Sequence, residues 1–216
     1  ASGRLESADI AVELFLTEDE KLAEEYANKL HGLNEERKSM TEEGLEKVIE
    51  SIETSSLKNE KVLVAYEPSI HESIAGIIAG RVKDRYNKPT IVITDSTEEG
   101  MSKASARSIE EYNMIEEITN CKELLSKFGG HPMAAGFSLE TSNIEELRKR
   151  LNDNTSLTDD DLIPKLHIDA HVPLDLASMN MANELNLLEP FGKGNSKPIF
   201  ADKSVSIKKI DILGRD

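Results

Sequence analysis

The chain has 216 residues and a mass of 23.9 kDa, enough for one large or two small domains, and two are expected. Its formal charge of −15 excludes a surface that grips nucleic acid everywhere, since phosphate binding needs Lys and Arg to replace counterions, so any such contact must be local. One cysteine, Cys121, excludes an intramolecular disulfide and multi-cysteine zinc sites, and no apolar run reaches the ~20 residues of a membrane span; the expected setting is soluble and cytoplasmic, with no membrane partner. Ala1-Ser2-Gly3-Arg4-Leu5 opens without an initiator Met and runs into an apolar stretch from Ile10 to Leu16, as the interior of a longer protein would. Thr17-Glu18-Asp19-Glu20 has a capping-box pattern, and Leu22, Tyr26, Leu30, Leu33, Met40, Leu45, Val48 and Ile52 then recur at helical spacing. One long amphipathic connector helix within 17–60 is expected, with Gly44 as the place for a bend. The acidity is concentrated here: residues 1–60 carry 16 acidic against 7 basic side chains, which leaves the remainder free to form a positive groove.

Residues 62–66 and 90–94 are β-branched runs flanking a helical segment from Ser73 to Tyr86, a strand–helix–strand unit with a parallel pair. A strand over Met101 to Arg107, helical turns across Tyr112 to Lys127, a glycine–histidine turn, a strand over Ala135 to Leu139 and a helix over Asn143 to Leu151 complete a mixed, helix-covered sheet within 61–151. The polar run 152–161 reads as a linker. Beyond it come a strand near Leu162 to Val172, a helix near Leu174 to Leu188, a turn-rich segment over 189–198, and strands near Ile199 and Val205 to Ile212. The chain then ends at Gly214-Arg215-Asp216 without a terminating element. The fold class is α/β, followed by a small β region.

Four places carry candidate chemistry. Phe128-Gly129-Gly130-His131-Pro132-Met133-Ala134-Ala135-Gly136 sets an imidazole among glycines and small residues, so bare N–H groups approach a ligand while His131 donates to an anionic oxygen or exchanges a proton. On the residues alone, a tight turn with a partly buried His fits as well. On an extended Lys103-Ala104-Ser105-Ala106-Arg107-Ser108, alternation puts Ser105 and Arg107 on one face, a hydroxyl and a planar fork matched to phosphate oxygens; an ordinary solvated strand end is the alternative. His71 precedes a helix whose free N–H groups favour an anion, and it also fits as a capping residue. His167-Ile168-Asp169-Ala170-His171 would point three donors to one face of a strand, but one strand rarely gives three ligands to one ion, and no metal site is expected there. Cys121 reads as a small buried residue at a helix start.

The nonapeptide at 128–136 resembles the signature of the domain that follows the catalytic domain in DHH-family phosphoesterases. Its Gly-Gly-His-x-x-Ala-Ala-Gly form is similar to that of the single-strand-specific 5′→3′ DNA exonucleases of that superfamily. Residues 103–108 resemble the family's Ser-x-Arg-Ser element, with Lys-Ala where the family usually has a Gly before that Ser. Ala1-Ser2-Gly3-Arg4 resembles the Asn-Ala-x-Gly-Arg element that closes the catalytic domain, which assigns 1–16 to the end of that domain. The stretch at His71 is similar to His-x-Gly-x-x-Gly, with Ser73 in place of the first Gly and Gly76 retained. Leu188 to Asn195 resembles the start of the family's OB-fold, which makes 162–216 a partial barrel.

The resemblance covers nearly the whole chain and implies a parent enzyme that hydrolyses single-stranded DNA from its 5′ end, with Mn2+ or Mg2+, in recombination and repair. It further implies that Ser105, Arg107, Ser108, Arg4 and His71 bind substrate, and that Gly129, Gly130 and a catalytic His131 bind or polarise the scissile phosphate. The family's Asp-His-His metal motif does not occur here, so this stretch is expected to bind no metal and to be inactive alone. Single-stranded DNA is the expected partner, with single-strand-binding protein a candidate. Two alternatives stay open: a nanoRNA or cyclic-dinucleotide phosphodiesterase, which would not call for the C-terminal region, and a non-catalytic RNA- or DNA-binding module such as the editing-associated domain of alanyl-tRNA synthetase.

Overall fold

The computed structural model describes residues 2–211 and divides the chain into two units, Ala1–Ile163 and Pro164–Asp216. The expected chain end at Gly214-Arg215-Asp216 lies outside the described residues. Two short helices, α1 (Ser2–Leu5) and α2 (Asp9–Leu16), precede α3 (Glu20–Thr54), the long helix expected from the helical spacing of its apolar residues. Its N-cap is Asp19, not Thr17: the Asp19 carboxylate accepts from the N–H groups of Lys21 and Leu22, and the Thr17 hydroxyl accepts only from Asp19 N–H, outside the helix. A carboxylate at the positive end of a helix dipole is the stronger cap. The helix also runs on through Gly44. There an added Cβ would stand 2.7 Å from Ile78 Cδ1, so the glycine marks the close crossing of α3 over the next helix.

That helix, α4 (Glu72–Tyr86), joins β1 (Leu63–Tyr66) to β2 (Thr90–Asp95), which pair in parallel as the strand–helix–strand reading required. β3 (Met101–Arg107), α5 (Met114–Thr119), β4 (Leu125–His131), β5 (Ala134–Glu140) and α6 (Ile144–Asn154) follow. The strand order is β1-β2-β3-β5-β4, with every pair after the first antiparallel. Alternation divides the core in two. Leu63, Ala65 and Val92 pack with Val48 and Ile52 of α3 and Ile74, Ile78 and Val82 of α4. On the other face Val64, Ile91, Ile93, Ala104, Ala106, Phe137 and Leu139 pack with Met114 and Ile118 of α5 and Leu147 and Leu151 of α6.

The expected glycine–histidine turn is instead the end of a strand. Helical structure after Tyr112 stops with a 3₁₀ turn at Lys122–Leu124, β4 begins at Leu125, and the reversal is made by Pro132 and Met133. The ladder wins because Gly129, Gly130 and His131 pair with Gly136, Ala135 and Ala134, and the glycines let this backbone come close. At Gly130, where φ is 157°, a Cβ would stand 2.5 Å from Ala134 O and Ala135 Cα.

The run 152–161 starts inside α6. The Asn152 side chain accepts from the N–H groups of Lys61 (3.1 Å) and Val62 (3.0 Å) and donates to Val62 O (3.0 Å), fastening the end of α6 to the start of β1. Leu157 is buried, and a 3₁₀ turn spans Asp160–Leu162.

In the second unit, the strand expected near 162–172 is reduced to β6 (Ala170–His171), paired in parallel with β7 (Phe200–Ala201). The helix expected from Leu174 to Leu188 is broken into a 3₁₀ turn at Leu174–Leu176, α7 (Met179–Leu185) capped by the Ser178 hydroxyl, and a 3₁₀ turn at Asn186–Leu188. Residues 205–211, expected as strand, form none. No described residue of this unit is buried, so its periodic patterns have no core to enforce them.

Candidate nucleic-acid interface

The apolar cluster beneath α3 and α4 contains no residue of β4 or β5, so the sheet extends past its helical cover on that side. Cross-strand pairing lays three rows that start on β3, beside α4, and run out over the uncovered part. Lys103, Ser138 and Lys127 form one row, Ser105, Gly136 and Gly129 the next, and Arg107, Ala134 and His131 the third. Directly paired residues have Cβ atoms roughly 5 Å apart and share a face. The expected Ser105–Arg107 face is therefore continuous with the glycines and His131, which the sequence alone did not connect to it. A cleft of ≈ 400 Å³ opens here, lined among others by Glu72, Ser73, Lys103, Ser105, Lys127 and Gly136.

Arg107 is half-buried against α4, and its Nη1 donates to Ala106 O at 2.8 Å. That bond uses one of the guanidinium's five N–H donors. Ser105 is half-buried at the cleft wall, and Lys103 is held by Glu72 at 2.5 Å. Gly129 and His131 are exposed, and a Cβ at Gly129 would meet nothing within 4 Å, so its backbone is open to a ligand. Because β4 is the sheet's edge, it has a strand neighbour on one side only.

The remaining predicted residues fall into two groups. Arg4 and His71 come together at the first turn of α4. Arg4 Nη1 donates to Ser73 O, while His71 caps the helix, its Nδ1 accepting from Ser73 N–H at 3.3 Å and lying 2.7 Å from Ser73 Oγ. Both the capping role and the position at a helix N-terminus thus apply to His71, and the cleft wall at Ser73 links this turn to the rows. Ser108 is not brought to the site. It is buried, its Oγ donates to Tyr112 O at 2.6 Å, and its N–H donates to Met133 O at 2.9 Å, which ties the chain after β3 to the β4–β5 reversal. Lys103 and Lys127 are cleft residues that the sequence reading did not single out. Alternation from Ser105 would have found Lys103; Lys127 is visible only through the register of β4 on β5.

His167, Asp169 and His171 do not assemble a metal site. The Asp169 carboxylate accepts from Ile199 N–H, and His171 Nε2 lies 3.1 Å from Asp202 Oδ1. Asp202 is held below the usual carboxylate range, first by the N–H of Leu174 and also by Lys203 N–H and His171. Among the described residues no three His, Cys, Asp or Glu side chains are grouped to hold an ion. Cys121 is buried beside the 3₁₀ turn after α5, and burial pushes its thiol up, away from nucleophile behaviour.

Comparison with known proteins bears on both units. The DHHA1 domain matches residues 59–156 and the RecJ OB domain matches residues 168–216. The chain belongs to the RecJ family. It is 39% identical, over 99% of its length, to the single-stranded-DNA-specific exonuclease RecJ of Bacillus subtilis, and 31% identical over 93% of its length to RecJ of Escherichia coli. It spans 27% and 36% of those two proteins. The crystal structure of RecJ from Thermus thermophilus in complex with Mg2+ superposes with a TM-score of 0.80 at 27% identity, over 92% of this chain and 30% of that one, and the Mn2+ complex of the same RecJ superposes equally well.

Proposed function

We propose that this chain is the substrate-binding portion of a 5′→3′ single-stranded-DNA exonuclease of recombination and repair, acting in the cytoplasm, and that it grips the 5′-terminal phosphate of the strand. The observation that carries the reading is the in-register placement of Ser105 and Arg107, beside α4, in rows that run out to Gly129 and His131 where the sheet has no helical cover. A guanidinium fork and a hydroxyl suit a terminal phosphate, which offers one more oxygen and more charge than an internal phosphodiester. Arg4 and His71 add donors at the first turn of α4, where the helix dipole also favours an anion. Lys127 adds local positive charge in a chain of net charge −15, and Lys103, paired with Glu72, stands in the same row. His131 and the thin Gly129–Gly130 backbone contact the scissile phosphate, where an N–H donor stabilises charge as it develops.

In the same reading, residues 1–16 close a catalytic domain, 17–60 connect it to the substrate-binding domain at 61–151, and 162–216 contribute to an OB-fold reached through 152–161. The residues described here do not fit the Mn2+ or Mg2+ named for the Thermus structures, since no three-donor group forms. No step is derived through a metal, and the chain alone is expected to release no nucleotides. The match to the RecJ OB domain favours this reading over a nanoRNA or cyclic-dinucleotide phosphodiesterase. Single-strand-binding protein remains a candidate partner.

The test is end recognition. Anisotropy of 5′-phosphorylated and 5′-hydroxyl single-stranded oligonucleotides at one fixed salt concentration should show a preference for the phosphorylated end. Arg107→Ala abolishes most of that preference, and Arg107→Lys restores only part, because an ammonium cannot reproduce a bidentate fork. If both variants weaken the two oligonucleotides by the same factor, Arg107 is a general strand contact and the end-binding reading is wrong.

A further inference from the structure

α4 carries Gly76 and Gly80 in its interior, four residues apart and so on one face of the helix. Interior glycines weaken a helix relative to alanine, so their presence calls for a reason. The reason is not the apolar contact between α4 and its surroundings, which Ile74, Ala75, Ile78, Ala79 and Val82 make. Both glycines instead face the Arg107 side chain, and they face different parts of it. A Cβ at Gly80 would stand 4.0 Å from Arg107 Cγ, an ordinary contact with the aliphatic stem. A Cβ at Gly76 would stand 2.9 Å from Nη2, 3.5 Å from Cζ and 3.6 Å from Nη1, against the guanidinium itself. The three atoms nearest that Cβ all belong to the far end of a flexible side chain. Alanine would therefore be accommodated by moving that end, with the helix intact.

We propose that Gly76 is a positioning residue: it leaves on α4 the hollow in which the Arg107 guanidinium lies, and so fixes the orientation in which the fork meets the strand's terminal phosphate. The inference rests on the assignment of Arg107 as the phosphate ligand. It predicts that stability and end recognition move in opposite directions. Gly76→Ala should melt at the same temperature as the unsubstituted chain or up to roughly 2–4 °C higher, through its better helix propensity. Its preference for 5′-phosphorylated over 5′-hydroxyl single-stranded oligonucleotides should fall about tenfold, the loss of one charge-assisted bond. Gly80→Ala is the internal control, with the same gain in helix propensity, contact only with the stem, and an unchanged preference. A Gly76→Ala chain that keeps its full preference while Arg107→Ala loses it would overturn the inference, as would equal losses in the two glycine variants. No end preference in the unsubstituted chain, or an unchanged preference in Arg107→Ala, would instead overturn the phosphate assignment on which the inference rests.

Discussion

On its α4 side the five-stranded sheet presents two surfaces built by the same alternation from different residues. Over β1 and β2 the inward positions are Leu63, Ala65 and Val92, and two helices seal them from water. From β3 across β5 to β4 the equivalent positions are Lys103, Ser105, Arg107, Ser138, Gly136, Lys127, Gly129 and His131, and the helical cover ends with α4 beside β3. The opposite face stays buried as far as β5, at Val64, Ile93, Ala104, Phe137 and Leu139, and opens only at the edge strand, where Phe128 is exposed. One face thus anchors β1, β2, β3 and β5, which frees part of the other to carry polar and backbone groups without loss of the fold. The rows on the bare half are held by rigid strands, and that fixes the spacing between a fork, a hydroxyl and an imidazole better than a loop would.

The contrast can be broken most forcefully from the covered half. Ile78→Ala, at a fully buried position where α3 crosses α4, should cost about 2–5 kcal/mol in denaturant unfolding through lost transfer energy and a residual cavity. A loss below 1 kcal/mol would mean that the covered half is not what holds the sheet. The bare half should behave in the opposite way. In an exonuclease that contains this chain, His131→Ala should slow turnover roughly 10²–10³-fold, about 2.7–4 kcal/mol of barrier, with an unchanged melting temperature; a lower melting temperature with normal turnover would make His131 structural. Lys127→Ala should be milder, reducing the slope of log affinity against log salt for single-stranded DNA by about 0.7, the share of one phosphate contact, and leaving end preference intact. An unaltered slope would remove Lys127 from the interface. The smallest effect lies at the rim, where the Tyr66 hydroxyl donates to Asp95 at 2.6 Å and that bond, with some burial, pushes the phenol up to about 12. Folding favours the protonated phenol, so its contribution is complete below the ordinary tyrosine value of about 10 and fades as pH climbs towards 12. The gap in melting temperature between the unsubstituted chain and Tyr66→Phe should therefore narrow over that interval, and a constant gap would show that the bond is not coupled to ionisation.

Much of this architecture was legible where the signal is local. Met101–Arg107 is a strand with the bounds that its alternation predicted, and Ser105 and Arg107 share a face for the same reason. Gly129-Gly130-His131 looked like a turn because glycine favours one, yet the pairing that makes it a strand comes from β5 and is a tertiary property. Ser108 belongs by sequence to the same hydroxyl-and-arginine element, but it lies one residue beyond β3, where its hydroxyl goes to Tyr112 O. Arg4 reaches Ser73 across 69 residues of chain, a contact that no local pattern encodes. In the second unit the one helix expected over 174–188 is three short pieces, and none of them has a buried face.

The Asn152 clamp bears on how this architecture can be reused. One side-chain amide joins the last turn of α6 to Lys61 and Val62, just ahead of β1 and some ninety positions earlier, so the chain enters and leaves the five-stranded sheet at nearly the same point. A module whose two ends meet can be inserted into another protein, or have other segments attached at that seam, with little disturbance to its interior. The Asn152 clamp closes such a seam for the sheet, and α3, whose Val48 and Ile52 lie in the sheet's core, has to travel with it.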